Sequence, residues 1–404
     1  VEIKKWLGLR NTVGPEAIRP GGLERALDVD IDDAGAIRTR RGRMLVTATP
    51  SHSLYDSGIL TLLMQGLDLK RFVPPSTITT LRRLTSPEPL VYAERNGVVY
   101  FTNGIDTGRI VQGVAAEWGV RVPTGNPAAA PTDGYLPVGR YLYALAYVRR
   151  DGLESGASAP SVIELTEPGG IAFSNIPTSS DPDVTHRALY ISAPNGTELY
   201  MAAVFTASEG SYSYRNAGLE GGVVMDPDYV APAPAGTVLE VHAGCLLVAS
   251  GSTVWISDQY AFERFRQRHR FFAFPGEVTM MASVTDGLYV GTDKATYYLG
   301  GNDPAGMKSA RVADHGATPG TAARMDVSLE ATEEEQASST VVAALWMSPE
   351  GVILGMPGGA IRNLTSGDFN VPAGVRGAAL LRSSRGYTSY VTTVQGETAL
   401  PNAF

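Results

Sequence analysis

The sequence predicts an all-β chain, a β-propeller of about six blades interrupted by a small β-sandwich. Three observations lead there. Forty-five glycines and 26 prolines in 404 residues are about 18% of the chain against a usual ~12%, too many helix breakers for a helical bundle, a coiled coil or an α-solenoid. The strongest period is 2, the strand signature. Apolar runs broken by tight-turn residues recur at loosely even spacing without a strict repeat. With 44% hydrophobic and 18% charged residues, the chain has the composition of a folded protein and not of a disordered one.

Alternation starts at Leu27-Asp28-Val29-Asp30-Ile31-Asp32, turns at Asp33-Ala34-Gly35 and returns through Ile37 to Arg43. The expected hairpin sets Asp28, Asp30 and Asp32 against Arg38, Arg40 and Arg43. Each such cross-strand pair contributes roughly 0.2–1 kcal/mol and helps fix register. Further hairpins are expected from Ile59 to Phe72 around Gln65-Gly66, and from Leu90 to Thr102 around Asn96-Gly97, the strongest short hairpin signal. Others run from Cys245 to Ser257, Asp286 to Leu299, Val342 to Leu354, Gly355 to Leu364 and Ala378 to Val394. Radial repetition of such units hides sheet edges within blades; a sandwich or a set of barrels is the alternative. At about 40–50 residues per blade, the roughly 290 residues outside the middle segment make about six.

The middle segment, 126–233, stands apart by charge. The chain carries −8 overall, distributed as +3 over 1–125, −7 over 126–233 and −4 over 234–404. Pro/Ala-rich stretches flank it, Pro123 to Pro131 and Val230 to Gly236. Between them, strands are expected at Gly139–Arg149, Ser161–Leu165, Ile171–Ile176, Ala188–Ser192, Leu199–Phe205 and Tyr212–Arg215. About 100 residues of short strands is the length of one β-sandwich, placed here as a domain insertion between 1–125 and 234–404. The polar stretch Asn302 to Ser339 stays open among a loop, a short helix and a partner-binding insertion.

Several chemistries find no support. Net acidity argues against a sequence-specific nucleic-acid reader. No apolar run approaches the roughly 18 residues of a membrane span, and Val1 to Asn11 lacks the apolar region of a secretory signal. The single cysteine, Cys245, excludes a disulfide framework and a multi-Cys zinc site; it sits in an apolar strand and is expected to be a buried structural thiol. A cytosolic compartment, or a particle assembled in one, follows. Asp28, Asp30, Asp32 and Asp33 resemble a calcium loop only superficially, because Asp33 and Thr39 stand where glycine and glutamate belong. His52, His186, His242, His269 and His315 show no paired ligand spacing, and no nucleophile elbow or phosphate loop is present. No metal, cofactor or catalytic residue is expected. Ser250 to Trp255 is only faintly similar to the Asp-box turn of sialidases, lacking its aspartate.

The sharpest local feature is Phe262 to Phe272, where Arg264, Arg266, Arg268 and Arg270 alternate. On a strand they would line one face and could meet an acidic neighbouring subunit or, less favoured, DNA phosphates; a solvated face with ordinary ion pairs is the other reading.

An ordered set of segments resembles a family. Leu7 to Asn11, Ile18 to Leu23, Ala26 to Gly35 and Arg38 to Gly42 look like the start of the tail nozzle (tail tubular, or packaged-DNA stabilisation) proteins of short-tailed bacteriophages. His52 to Tyr55, Asn96 to Asn103, Asp286 to Thr292, Ala344 to Gly351 and Arg362 to Thr365 agree in order. The middle segment resembles a fibronectin-type-III-like domain through Gly139 to Val148, Asp151 to Ser155 and His186 to Ile191. The resemblance implies a non-enzymatic virion protein of the phage tail, assembled in the host bacterial cytoplasm. Its propeller subunits would form a homo-oligomeric ring, usually a hexamer, below the portal and adaptor proteins. The ring would hold back packaged double-stranded DNA and let it pass non-specifically at ejection, with tail fibres or spikes as further partners. The competing classes are a propeller glycosidase or lyase, marked by paired carboxylates in a pocket, and a receptor-binding tail module, marked by an exposed aromatic groove.

Overall fold

Tight turns and alternating apolar residues give many short strands, which make up 56% of the described residues, none of which is α-helical. The computed structural model describes residues 6–10, 12–24, 29–31, 35–39, 45–216, 222–226, 229–304, 306–329, 339–368, 374–384 and 387–396. The strands form many small, mostly antiparallel sheets, an organisation compatible with a propeller-like fold.

Near the N-terminus, β1 (Gly8–Leu9) and β2 (Gly22–Leu23) pair in parallel, and β3 (Val29–Ile31) and β4 (Ile37–Thr39) form a hairpin. Two four-stranded meanders follow: β5 (His52–Asp56), β6 (Thr61–Gln65), β7 (Asp68–Val73) and β8 (Thr77–Arg83), then β9 (Val91–Arg95), β10 (Val98–Thr102), β11 (Thr107–Val111) and β12 (Val114–Ala116). Asn96 and Gly97 join β9 to β10 with φ of 53° and 74°, the left-handed pair that a two-residue hairpin turn requires.

Seven strands then form two facing sheets. They are β13 (Ala128–Leu136), β14 (Gly139–Arg149), β15 (Ser161–Leu165), β16 (Gly169–Ser174), β17 (Val184–Ser192), β18 (Leu199–Thr206) and β19 (Ser211–Tyr214). One sheet has the order β13-β16-β19 and the other β15-β14-β17-β18. Their inner faces bury Tyr141, Leu145, Ile171, Phe173, Leu189 and Ile191 in one cluster. Arg187 is 1% exposed; its guanidinium donates to the carbonyls of Ile176, Pro177, Thr206 and Glu209. Both terminal nitrogens are satisfied in this way, which makes the buried cation tolerable, while its Nε has no partner among the described residues.

Chain order resumes with β20 (Val230–Ala231), β21 (Val238–His242), β22 (Cys245–Ser250), β23 (Thr253–Asp258), β24 (Ala261–Arg266) and β25 (Phe271–Ala273) in one sheet. Next come β26 (Val278–Val284), β27 (Gly287–Thr292), β28 (Thr296–Gly300) and β29 (Lys308–Ala313), then β30 (Ala323–Leu329), β31 (Ser339–Ser348), β32 (Gly351–Gly355) and β33 (Ile361–Asn363). A two-stranded sheet, β34 (Gly374–Ser384) and β35 (Tyr387–Gly396), ends the series. Strand β21 lies between β9 and β26, β26 packs on β30, and β30 on β34, so first strands of successive sheets are neighbours.

Each middle sheet is covered on both faces, which explains its continuous apolar runs. In β22, Cys245, Leu247 and Ala249 pack toward Val278, Leu288 and Val290. The intervening Leu246 and Val248 pack the opposite way, with Tyr100, Trp118 and Phe265. Strand β27 repeats the device: Tyr289 points away from Leu288 and Val290, toward Trp346 and Ile353. Cys245 is fully buried and free, and burial pushes its thiol pKa up.

Three expectations need correction. The stretch from Pro123 to Pro131, expected as a linker, contains the start of β13, and Val230–Ala231 of the second stretch pairs with β24. The open segment 302–339 supplies β29 and β30, the last strand of one sheet and the first of the next. The arginine row is not one strand face, because β24 ends at Arg266; the His269 and Arg270 amides both donate to the Arg266 carbonyl, which makes 267–270 a turn.

Candidate functional site

Strand β24 carries the arginine segment past the neighbouring sheets. Its pairing with β23 is irregular between Ser257 and Asp258, which breaks strict alternation and lets Phe262 and Phe265 both enter the cluster around Trp118. Glu263, Arg264 and Arg266 stay on its partly exposed side.

The arginines are held by carboxylates of their own chain. Asp258 accepts from Arg266 Nε at 2.9 Å and Arg270 Nη1 at 3.0 Å, and lies 3.6 Å from Arg264 Nε. Asp226 accepts from Arg266 Nη1 at 2.9 Å and Nη2 at 2.8 Å, and from Arg264 Nη2 at 3.2 Å. Arg264 Nη1 also donates to the Glu154 carbonyl, 3.2 Å away in the β14–β15 connection. Arg268 stacks instead, with its guanidinium carbon 3.1 Å from the centre of the Tyr229 ring. The bidentate pair with Asp226, helped by Asp258, raises the Arg266 pKa.

Beside this lies a more deeply buried junction. Glu263 accepts from Arg109 of β11 at 2.7 Å, from Arg149 of β14 at 2.5 Å and from the Gly119 amide at 3.2 Å. The three charged side chains are 12%, 13% and 4% exposed. Arg149 also forms a fork with Asp151 at 2.9 and 2.7 Å. Burial opposes the Arg149 charge, but the Asp151 and Glu263 hydrogen bonds outweigh it and raise its pKa. The Trp118 indole donates to the Phe262 carbonyl at 2.9 Å. Burial, with the Glu263 charge second, pushes the Tyr100 hydroxyl up to about 12. The junction thus ties the sheet of β9–β12, the sheet of β21–β25 and the two-sheet region together.

A second polar cluster sits where first strands meet. Glu240 of β21, 11% exposed, accepts from Arg324 Nη1 of β30 at 3.1 Å and from the Val241 and Ser283 amides. Burial raises its pKa. His242 is buried. Its Nε2 faces the Gly301 carbonyl at 3.2 Å and must carry the proton, so Nδ1 accepts from the Ser283 hydroxyl at 2.8 Å.

The other residues singled out by sequence are scattered. Asp30 pairs in register with Arg38 across β3–β4, whereas Asp28, Asp32 and Arg40 lie outside the described residues. Among the described residues, no three His, Cys, Asp or Glu side chains gather as a metal site, and no helix is long and apolar enough to cross a membrane. Asp226, Asp258, Glu263, Arg109 and Arg149 were not anticipated. Glu263 carried the one available signal, a lone acid flanked by Phe262 and Arg264 in a basic stretch. Chemically the arrangement holds elements of the chain to one another, since guanidinium donors engage its carboxylates.

No family model matches the sequence, and no curated protein matches it. Among solved structures, one similar chain is PorZ, a bacterial surface component of the type-IX secretion system of Porphyromonas gingivalis. It is 11% identical, with 87% of this chain and 52% of that one covered and a TM-score of 0.23; this chain therefore spans about half of its length. Virginiamycin B lyase from Staphylococcus aureus is 15% identical, covering 65% and 84%, with a TM-score of 0.20. The AfRom2 CNH domain is 7% identical, covering 86% and 95%, with a TM-score of 0.24. Likenesses this loose transfer nothing to this chain.

Proposed function

We propose that the chain is a non-enzymatic virion protein, a subunit of the tail nozzle ring of a short-tailed bacteriophage. It would be built as about six propeller blades with a fibronectin-type-III-like sandwich inserted, divided as 1–125, 126–233 and 234–404. The observation that carries the reading is the order of the family-like segments, each of which falls on a strand or its turn in one of four different small sheets. His52 to Tyr55 opens β5, Asn96 to Asn103 makes a turn and β10, Asp286 to Thr292 a turn and β27, and Ala344 to Gly351 the second half of β31 with its turn. Contacts between distant parts of the chain support a ring of blades. Arg10 bonds Asp368 at 2.7 Å, and the Thr12 hydroxyl donates to the Gly367 carbonyl at 2.8 Å.

In this reading a homo-oligomer, six-membered by the family's habit, continues the channel of the portal and adaptor proteins. It retains packaged DNA and lets it pass, with fibres or spikes attached outside. A wall without a basic stripe suits that task, because DNA held by many lysine and arginine contacts slides only against the cost of recapturing counterions. The pairing of Arg264, Arg266 and Arg270 with Asp226 and Asp258 is compatible with such a wall, since those cations are already engaged within the chain.

The test is immunogold electron microscopy of particles from the source, intact and disrupted, with antibody to this chain. Label at the distal end of a short tail is expected. Absence of label from disrupted particles would overturn the reading and turn attention to glycan cleavage.

A further inference from the structure

Strand β13 follows β16 as far as Thr132 and regains it only at Leu136. Between those points the chain crosses over the start of β16, and the Tyr135 amide donates to the Arg215 carbonyl beyond β19 at 2.8 Å. Glycine permits the crossing. A Cβ on Gly134 would lie 2.7 Å from the Gly169 carbonyl oxygen, and one on Gly170 2.7 Å from that of Asp133, closer than side chains allow.

Beside the crossing, the β15–β16 turn leaves a groove of about 620 Å³, within the usual range of ~300–1,000 Å³ for small-ligand sites. Asp133, Tyr135, Glu167 and Arg215 line it. Tyr135 is 84% exposed. Among the described residues, none of these four side chains makes a hydrogen bond or an ion pair.

We propose that this groove binds a neutral oligosaccharide. The free tyrosine ring offers an apolar face for the C–H face of a pyranose, as an aromatic side chain with a polar tip does at a wet interface. The two carboxylates accept hydrogen bonds from sugar hydroxyls, and the guanidinium donates to hydroxyl and ring oxygens. Two acids against one base disfavour phosphate and nucleic acid, which would meet Asp133 and Glu167 as like charges. The inference concerns the isolated chain and does not rest on a place in a virion.

Saturation-transfer NMR of the full chain with maltopentaose, cellopentaose and chitotetraose tests it. Transfer to the ring protons of at least one is expected. Tyr135→Ala and Arg215→Ala should weaken that binding about tenfold or more, as truncation of an anchoring contact does, with an unchanged melting midpoint because both side chains are exposed. Tyr135→Phe, which keeps the ring, should retain most of it. No transfer from any of the three sugars, or transfer undiminished in Tyr135→Ala, overturns the proposal. Gold label at a phage tail with no sugar binding would leave the nozzle reading standing and remove this one alone.

Discussion

Glu263→Ala strikes the place where three parts of the chain are tied together. The carboxylate accepts from Arg109, Arg149 and the Gly119 amide, and removing it has unequal consequences. Arg149 keeps its fork with Asp151. Arg109 keeps a hydrogen bond to the Glu117 carbonyl at 3.1 Å but loses the only carboxylate paired with it among the described residues. Breaking one side of a buried pair costs about 3–5 kcal/mol; because Arg149 stays compensated, we expect about 3 kcal/mol. For a chain of this length, at ~2 cal/mol/K of unfolding entropy per residue, the melting midpoint falls on the order of 3–4 °C. Urea unfolding followed by circular dichroism gives the free energy, and calorimetry shows whether one transition splits as the two-sheet region is released. Glu263→Gln should lose less, since its amide oxygen still accepts one donor. In a double-mutant cycle, Arg149→Ala with Glu263→Ala should show coupling of about 1 kcal/mol or more. A Glu263→Ala midpoint corresponding to under about 1 kcal/mol would refute the junction as the tie.

Other perturbations test the surroundings. Burial lowers the His242 pKa below its ordinary 6.5, so the folded state holds the ring neutral while the unfolded chain takes up a proton. That contribution is complete above pH 6.5 and is lost as pH falls below it toward the folded value, with a slope of at most ~1.4 kcal/mol per pH unit; stability measured from pH 7.5 to 5.5 should fall less in His242→Gln than in the parent. Arg266→Glu places a carboxylate beside Asp226 and Asp258 and should destabilise the fold by several kcal/mol in urea titrations, so it cannot report on assembly. Among the described residues, Arg268→Glu gives up the contact with Tyr229 alone, worth about 0.5–1 kcal/mol; ring assembly lost from a folded Arg268→Glu chain would mark a subunit contact, and unchanged assembly would dismiss it. Replacing 126–226 by a short Gly/Ser bridge spares Val230–Ala231 and should leave soluble protein that unfolds cooperatively at a lowered midpoint, whereas aggregation would count against an inserted domain.

Turn chemistry made the hairpins legible. Asn96-Gly97, Gly251 and Gly358-Gly359 mark where the backbone needs positive φ, a local requirement written in residue type. Strands without that punctuation were harder to see. In β29, Lys308 to Arg311 are exposed or nearly so, hence no apolar alternation announced it. Strand β13 begins Ala-Ala-Ala-Pro, poor β-formers, and reads as a linker until its partner β16 is known. In β22 the run Cys245 to Ala249 has apolar residues on both faces because a sheet covers each, so its period was visible only as a hydrophobic stretch.

The site was less legible than the fold, and the reason lies in what charge composition measures. Four alternating arginines suggested a face presented outward, yet three of them meet Asp226 or Asp258. Asp226 precedes Arg264 by 38 residues, and it had been counted among the acids that set the middle segment apart. Part of that segment's −7 is therefore the counter-charge of the neighbouring basic strand, and the two compositional anomalies compensate each other at one boundary. Arg149, also from the middle segment, meets Glu263 of the same strand with the signs exchanged. Pairing in both directions across one seam ties the two-sheet region to the sheets beside it in one register. Burial of Arg149 and Glu263 makes the loss of either expensive, which is why the Glu263 variants discriminate where surface charge reversals do not.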